Sequence, residues 1–329
     1  MSVIKKLTAA VAAVAMAAVA ASCSGDPEPQ YFFAMDTYIE LKCDSERGMA
    51  AARQVVENAG GIYDRHLDSS AVSKLNRVRT IEDKTLAKAV KTSLELYKKT
   101  DGYFDISLGQ VISAWDIGGE NRVPSEDELK TALQNSGAEN IKVIGDRITL
   151  SGGVTLDFGA IAKGIISDEA VLAAKENGAE SAAFSLGGNI ALIGDEGGEG
   201  YSVGIADPNE PQKSIVGNII GLADCFAVTS GGYQRYFEQN GKRYCHIFGK
   251  DGKPADSGLL SVTIISKSGA EADAYSTALY SMGLSKSLEF YNNNSGFEAV
   301  FVTDKNEVVL TDGLKNKFKL TNGEYKLCD

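Results

Sequence analysis

Asp273, Ser276 and Thr277 lie three and four positions apart in Glu271-Ala272-Asp273-Ala274-Tyr275-Ser276-Thr277. On a helix that spacing places one carboxylate and two hydroxyls on a single face. Hard oxygen donors of this kind suit Mg²⁺, which keeps few protein ligands and completes its octahedron with water and phosphate oxygens. The same residues also read as a helix start, where an acid is favoured by the dipole. A second cluster, Leu156-Asp157-Phe158-Gly159-Ala160-Ile161-Ala162-Lys163-Gly164, ends an apolar run on an acid and opens a helix through small residues. Free N–H groups at such a start can hold phosphate, and Lys163 adds a point charge. Taken alone, it also reads as a packing turn. It has neither the Gly-Lys-Ser/Thr of a Walker loop nor the spacing of G-x-G-x-x-G.

Two further clusters, Ser185-Leu186-Gly187-Gly188-Asn189 and Thr229-Ser230-Gly231-Gly232-Tyr233, end strands in paired glycines. A ligand can approach the backbone at such a bend, and a loop needing positive φ explains either one as well. His246, in Arg243-Tyr244-Cys245-His246-Ile247-Phe248, falls inside an apolar strand pattern. It reads as a satisfied core histidine or as a general base for an acceptor hydroxyl. No nearby Ser/His/Asp ordering accompanies it, so a hydrolase triad has no support.

These residues need a frame. Alternation predicts a strand at 38–43, and Leu86, Val90, Leu94 and Tyr97 predict a helix ending near Asp101-Gly102. A helix is also expected over 46–58. Ser125 and Glu128 form a capping box for a short helix that closes near Gly137, with Leu129 and Leu133 inward. A hairpin follows over 141–144 and 147–150, turned by Gly145-Asp146. Further strands are expected at 154–158, 182–186, 201–205, 218–228, 243–248 and 260–266. Helices are expected at 161–177, 272–281 and 286–291, and a closing hairpin at 298–303 with 308–311. Strands mixed with helices, without strict alternation, indicate an α+β architecture.

Composition narrows the chemistry. Among 329 residues, 33 basic against 44 acidic side chains give a net charge of −11, which disfavours nucleic-acid binding. Two histidines exclude a three-His zinc site, and five cysteines without a C-x-x-C argue against zinc ribbons. Any catalytic metal is therefore expected on oxygen ligands.

Residues 1–22 have a basic start, an uncharged Ala/Val run from Leu7 to Ala21 and a small-residue end, the pattern of a secretory leader. Cys23 after Ala20-Ala21-Ser22 resembles a bacterial lipobox. That resemblance implies a lipid anchor on Cys23 in the periplasm or cell envelope. Ser24 in place of Asp favours the outer over the inner membrane. Residues 23–30 read as a tether and 31–329 as one catalytic domain, with no Pro-rich linker dividing it. Removal of Lys5 and Lys6 with the leader makes the chain still more acidic. Cys43, Cys225, Cys245 and Cys328 could pair in an oxidising compartment or stay as thiols.

In order along the chain, the clusters resemble the ApbE family of FAD:protein FMN transferases, formerly called thiamine-biosynthesis lipoproteins. The matching pieces begin with Met35-Asp36-Thr37 (usually Met-Gly-Thr), Ser70-Ala71-Val72-Ser73-Lys74-Leu75-Asn76 and Thr100-Asp101-Gly102-Tyr103-Phe104-Asp105-Ile106-Ser107. They continue with Leu156 to Gly164, Ser185 to Asn189, Thr229 to Tyr233, His246 through Lys253-Pro254-Ala255, and Ala272 to Thr277. The resemblance implies mixed sheets with packed helices, in two contacting lobes around a flavin-binding cleft. It implies Mg²⁺-dependent transfer of FMN from FAD to a Thr or Ser hydroxyl, releasing AMP. The implied acceptor carries Asp-x-x-(Ser/Thr)-Gly-Ala-Thr, as in a redox-complex subunit. Flavin contacts would fall on Met35, Tyr103, Phe104, Asp105, Asp157, Lys163 and the Phe248 backbone region, with His66 where the family often has Tyr. Metal contacts would fall on Asp273, Thr277 and Ser276 with the Ala160 carbonyl. Asp36 replaces a usual Gly, and Gly249 stands where Asp is common before Pro.

On chemical grounds, His246 or a carboxylate such as Asp157 would take the acceptor's proton. An FAD pyrophosphatase giving FMN and AMP, or a non-catalytic flavin-binding lipoprotein, are the alternatives the sequence leaves open.

Overall fold

A computed structural model describes residues 27–195 and 197–328; the leader, Cys23 and the first tether residues lie outside these. The helices are α1 (Glu46–Asn58), α2 (Gly60–Tyr63), α3 (Ala71–Val78), α4 (Lys84–Lys99), α5 (Gly109–Trp115), α6 (Glu126–Gln134), α7 (Ala162–Glu176), α8 (Gly269–Met282) and α9 (Leu284–Asn293). They surround mixed sheets, an α+β architecture.

The largest sheet has nine strands. Their spatial order is Gln30–Ala34, Thr37–Cys43, Ala182–Leu186, Asn189–Ile193, Phe226–Gly231, Leu259–Ser266, Phe297–Thr303, Glu307–Leu310 and Lys326–Cys328. Neighbours run antiparallel until the last pair, which is parallel. Its central strands are buried on both faces, because each face meets another layer. Phe184, Leu186, Ala191, Phe226, Val228, Val262 and Ile264 join the core that α1, α7 and α8 complete. Ala227, Ile265, Val300 and Val302 form a second core with the small sheet of Tyr201–Ala206, Ile215–Leu222 and Phe318–Leu320. A smaller group, α3, α4 and the sheet of Thr80–Glu82, Ile141–Ile144 and Arg147–Leu150, shares the first core through Leu75, Leu86, Val90 and Ile148.

Local signals set many of these elements. Ser45 accepts the N–H of Gly48 at the start of α1, and Met49, Ala52 and Val56 repeat at helical spacing on its buried side. The capping box of α6 is complete: Ser125 and Glu128 each bond the other's backbone. α6 stops at Gln134, before Gly137, and Leu133 is only half-buried.

Three expected elements are corrected. Residues 154–158 form no strand beyond a single bridge between Leu108 and Thr155. Their backbone is held by side chains instead. Asn76 donates to the Leu156 carbonyl (2.9 Å) and accepts its N–H (2.7 Å), while Arg79 donates to the Val154 carbonyl (2.6 Å). The Asp157 N–H reaches Ile106, and Gly109 donates to Thr155. Asn76 thus imitates a neighbouring strand.

The expected strand 218–228 is two strands in different sheets. The break is at Asp224, whose φ is +44° and whose carboxylate takes Lys175 (2.7 Å) and the Gly194 N–H. Residues 243–248 stop pairing at Cys245, so His246 lies just past the strand Lys242–Cys245. All four described cysteines are free thiols.

The Asn76 clamp predicts a stability effect. Leu156 is fully buried, so no water replaces the lost partners. Replacing Asn76 with Ala is expected to lower stability by about 2–4 kcal/mol, since it removes two bonds and strands both backbone groups. Urea unfolding measures this, and an unshifted midpoint would contradict the clamp.

Candidate active site

Two helices cross with almost no side chain between them. A Cβ on Gly164 would lie 2.2 Å from the Gly269 carbonyl oxygen, and one on Gly269 would lie 2.5 Å from that of Gly164. At this crossing each helix supplies a carboxylate to the other's N-terminus. Asp168 of α7 accepts the N–H groups of Gly269 (2.7 Å) and Ala270 (2.9 Å) and the Ser268 hydroxyl (3.2 Å). Burial raises the Asp168 pKa, and the donors it accepts oppose that rise. In return, Asp273 Oδ2 of α8 accepts the N–H of Gly164 at 2.8 Å. α7 has no side-chain cap of its own, so Asp273 satisfies an orphan donor.

α8 begins at Gly269 under Ser268, so Asp273 is in its second turn and does not cap its own helix. It is only 4% exposed, and among the described residues Oδ1 carries no hydrogen bond. Ala160 lies in the turn before α7, ahead of the intrahelical ladder, and the Gly164 N–H four residues on goes to Asp273.

Hydroxyls adjoin the carboxylate. Ser230 Oγ lies 2.8 Å from Ser276 Oγ and 3.2 Å from Thr277 Oγ1. Ser276 is 0% exposed and its hydroxyl also bonds the Asp273 carbonyl at 2.9 Å. Its hydroxyl is thus engaged on two protein partners. Ser230 was not singled out by the sequence, which drew attention only to its neighbouring glycines. Period-two alternation carried the signal, because Ser230 shares a strand face with Phe226 and Val228 and is a polar residue on an apolar face.

Asp273, Thr277 and the Ala160 carbonyl make a small, hard oxygen set. Among the described residues no three His, Cys, Asp or Glu side chains gather into a metal cage. Such a set fits Mg²⁺, which leaves positions to substrate phosphate and water.

From this crossing the chain leads back to a second group. Asp157 Oδ1 accepts the Gly159 N–H (2.7 Å), and Oδ2 pairs with Arg65 at 3.3 Å. Arg65, also bonded to the Gly109 carbonyl (2.9 Å), is another residue the sequence reading missed. Both Asp157 oxygens are thus committed to holding the turn. Asp105 accepts the Ser107 N–H (2.7 Å), and burial, with Glu139 nearby, pushes its carboxyl pKa up. The Tyr103 hydroxyl accepts from Lys286 (2.7 Å), and Lys250 lies 5.1 Å from its ring centre. His66 is exposed beside Arg65, its N–H on Asp64. Phe104 is 1% exposed and its side chain belongs to the main core. The Phe248 ring packs against Trp115, and its carbonyl accepts the Ser281 hydroxyl (3.2 Å).

Met35 and Asp36 have φ of +52° and +54°. Glycine adopts that conformation freely and Asp tolerates it, which accounts for Asp36 at a position where Gly is usual. A Cβ on Gly187 would meet Thr37 Oγ1 at 2.3 Å, so the Ser185–Asn189 bend packs directly on this turn.

His246 Nδ1 lies 3.1 Å from the Arg235 carbonyl oxygen. A carbonyl only accepts, so Nδ1 carries the proton and Nε2 keeps its lone pair. Burial pushes the imidazole pKa down to about 4, with the charges of Arg235 and Lys163 adding to the fall.

A pH dependence follows. Between pH 6.5 and about 4 the unfolded chain binds a proton at His246 that the folded chain does not, so stability falls as pH drops through that window. The contribution is fully present above pH 6.5. His246→Gln is expected to flatten this part of the profile in urea titrations. Equal slopes in both proteins would contradict a neutral, half-buried imidazole.

Residues 35–301 match the ApbE family. A Treponema pallidum protein named FAD:protein FMN transferase is 31% identical over 81% of this chain and 80% of its own length. A Klebsiella pneumoniae protein of the same name is 28% identical, covering 90% and 95%. The ApbE protein of Thermotoga maritima superposes with a TM-score of 0.80 at 29% identity, over 88% of this chain and 98% of that one. The apo flavinyl transferase ApbE of Pseudomonas stutzeri superposes at 0.78 with 25% identity, over 88% and 96%.

Proposed function

The chain belongs to the ApbE family, and we propose that it transfers FMN from FAD to a Thr or Ser hydroxyl of a target protein, releasing AMP. One observation carries the placement of the reaction. At the α7–α8 crossing Asp273 Oδ2 accepts the N–H of Gly164, which follows Lys163 in the chain and lies four residues past Ala160.

The substrate's pyrophosphate would lie at the start of α7, where the positive end of the helix dipole and Lys163 favour negative charge. Asp273, Thr277 and the Ala160 carbonyl would hold Mg²⁺. When bound, the ion offsets the charge that develops on the departing AMP phosphate. The acceptor oxygen bonds to the FMN-side phosphorus as the bond to the AMP oxygen breaks. His246 Nε2 takes the acceptor's proton, a role for which its fixed tautomer and neutral charge suit it. Arg65 and Asp157 fix the turn that presents Ala160. Met35, His66, Tyr103 and Asp105 would border the flavin.

The acceptor in this reading carries Asp-x-x-(Ser/Thr)-Gly-Ala-Thr, as in a redox-complex subunit. Lipidation at Cys23 would anchor the enzyme in the cell envelope, on the outer membrane, a reading supported by the leader sequence. Among the described residues no helix is long and apolar enough to cross a membrane. Globomycin sensitivity tests the anchor, and an unlipidated mature protein would refute it. For the activity, AMP release from FAD is followed with and without acceptor peptide, then after EDTA. The proposal expects release that depends on acceptor, stops with EDTA and returns with Mg²⁺. Release at the same rate without acceptor would mark a pyrophosphatase instead.

A further inference from the structure

We propose that Ser230 is a positioning residue that turns the Thr277 hydroxyl proton away from the cation site, leaving Thr277 to face the ion with lone pairs only. The proposal rests on the Mg²⁺ reading above. Three hydroxyls and one carbonyl form a line: Thr277 Oγ1 to Ser230 Oγ at 3.2 Å, Ser230 Oγ to Ser276 Oγ at 2.8 Å, and Ser276 Oγ to the Asp273 carbonyl oxygen at 2.9 Å. Each hydroxyl has one proton to give, and a carbonyl has none.

The direction of the whole line follows from that count. Ser276 must donate to the Asp273 carbonyl, because two bare oxygens at that distance would repel. Ser276 then meets Ser230 with lone pairs, so Ser230 donates to Ser276. With its proton committed, Ser230 can only accept from Thr277. The Thr277 proton therefore points back into the sheet, and both of its lone pairs are released. A hydroxyl ligates a cation through a lone pair, so this arrangement presets the ligand before the ion arrives. Ser276 and Ser230 are 0% and 8% exposed, which leaves little room for water to substitute for either.

Ser276 thereby acquires a role. It supplies the end of the line that fixes Ser230, which explains a buried hydroxyl beside a metal ligand it cannot replace. Removing Ser276 frees the Ser230 proton to turn toward Thr277, filling one of the lone pairs the ion needs. The line thus predicts the same defect from two positions that do not themselves reach the ion.

The test is Mn²⁺ titration of the purified full chain, read by loss of the free-ion EPR signal. Ser230→Ala and Ser276→Ala are each expected to weaken Mn²⁺ binding about tenfold, the scale of second-layer effects on metal affinity. The double variant is expected to bind no more weakly than Ser230→Ala alone, because both act through one line. Thermal melting checks folding; should Ser230→Ala unfold, the Ser276→Ala titration decides the matter. Wild-type affinity in the folded serine variants, or fully additive losses in the double variant, would overturn the proposal. Thr277→Val separates the two levels. If it too binds Mn²⁺ like wild type, the cation reading itself fails, whatever the serines do.

Discussion

Asp273→Ala is expected to lower FMN transfer by about three orders of magnitude or more. Loss of charge stabilisation by a bound cation is worth several kcal/mol, and each 1.4 kcal/mol or so is tenfold in rate. The proposal gives this carboxylate two separate tasks: Oδ2 holds the Gly164 N–H at 2.8 Å, while Oδ1, without a hydrogen bond among the described residues, would take the ion. Alanine removes both, so it should also cost about 1 kcal/mol of stability as a lost helix cap. Asp273→Asn separates them, since its amide oxygen can still accept from Gly164 but carries no charge. The expected result is near-wild-type thermal stability with transfer still severely reduced. Steady-state transfer and melting curves on the same preparations check it. An asparagine variant with wild-type turnover would show that the carboxylate serves only the helix.

Gly164→Ala carries the second large effect, and two terms oppose each other. In an exposed helix interior, Ala is favoured over Gly by about 1 kcal/mol. Here the new Cβ would stand 2.2 Å from the Gly269 carbonyl oxygen and 2.7 Å from the Asp273 Cβ. Neither neighbour is the far end of a flexible chain, so the helices must part, and overpacking of this kind costs about 1–3 kcal/mol. Overpacking therefore prevails. Parting α7 from α8 also shifts Asp273 relative to Ala160 and Lys163, and displacements near 1 Å can cost about a hundredfold in rate. The variant is expected to fold with a lowered melting point and about 1% of wild-type activity. Unchanged activity would show that the crossing does not set the site.

The sequence was most informative where signals were local. The capping box of α6, the hairpin of Ile141–Ile144 with Arg147–Leu150, and α1 each depend on residues within a few positions of one another. Residues 154–158 show the limit. Their apolar run reads as a strand, yet Asn76, some eighty positions away, holds that backbone. Nothing local distinguishes a carboxamide partner from a strand partner. Asp224 shows another: one left-handed residue inside an apolar stretch sends the chain from one sheet to another.

That Asp273 and Thr277 share one face of α8 was legible from helical spacing. Their surroundings were not. Ser230 reaches them from a strand, Arg65 reaches Asp157 from the loop after α2, and Asp168 caps α8 from α7. Each such contact joins distant segments, so only the fold reveals it. The fold also reassigned residues that the pattern had grouped together. Ser276 shares the face of Asp273 and Thr277 but spends its hydroxyl on Ser230 and the Asp273 carbonyl, and Phe104 sits beside Tyr103 yet belongs to the core.

The central claim is covalent transfer of FMN to a protein hydroxyl. The measurement that tests it most directly is intact-mass analysis of an acceptor peptide after incubation with the full chain, FAD and Mg²⁺. The peptide carries Asp-x-x-(Ser/Thr)-Gly-Ala-Thr, and a control has its final Thr replaced by Val. The account predicts one phosphoester-linked FMN on the Thr peptide, an equal amount of AMP, and no gain on the Val control. An unmodified Thr peptide in a solution where FAD has been cleaved to free FMN and AMP would contradict it.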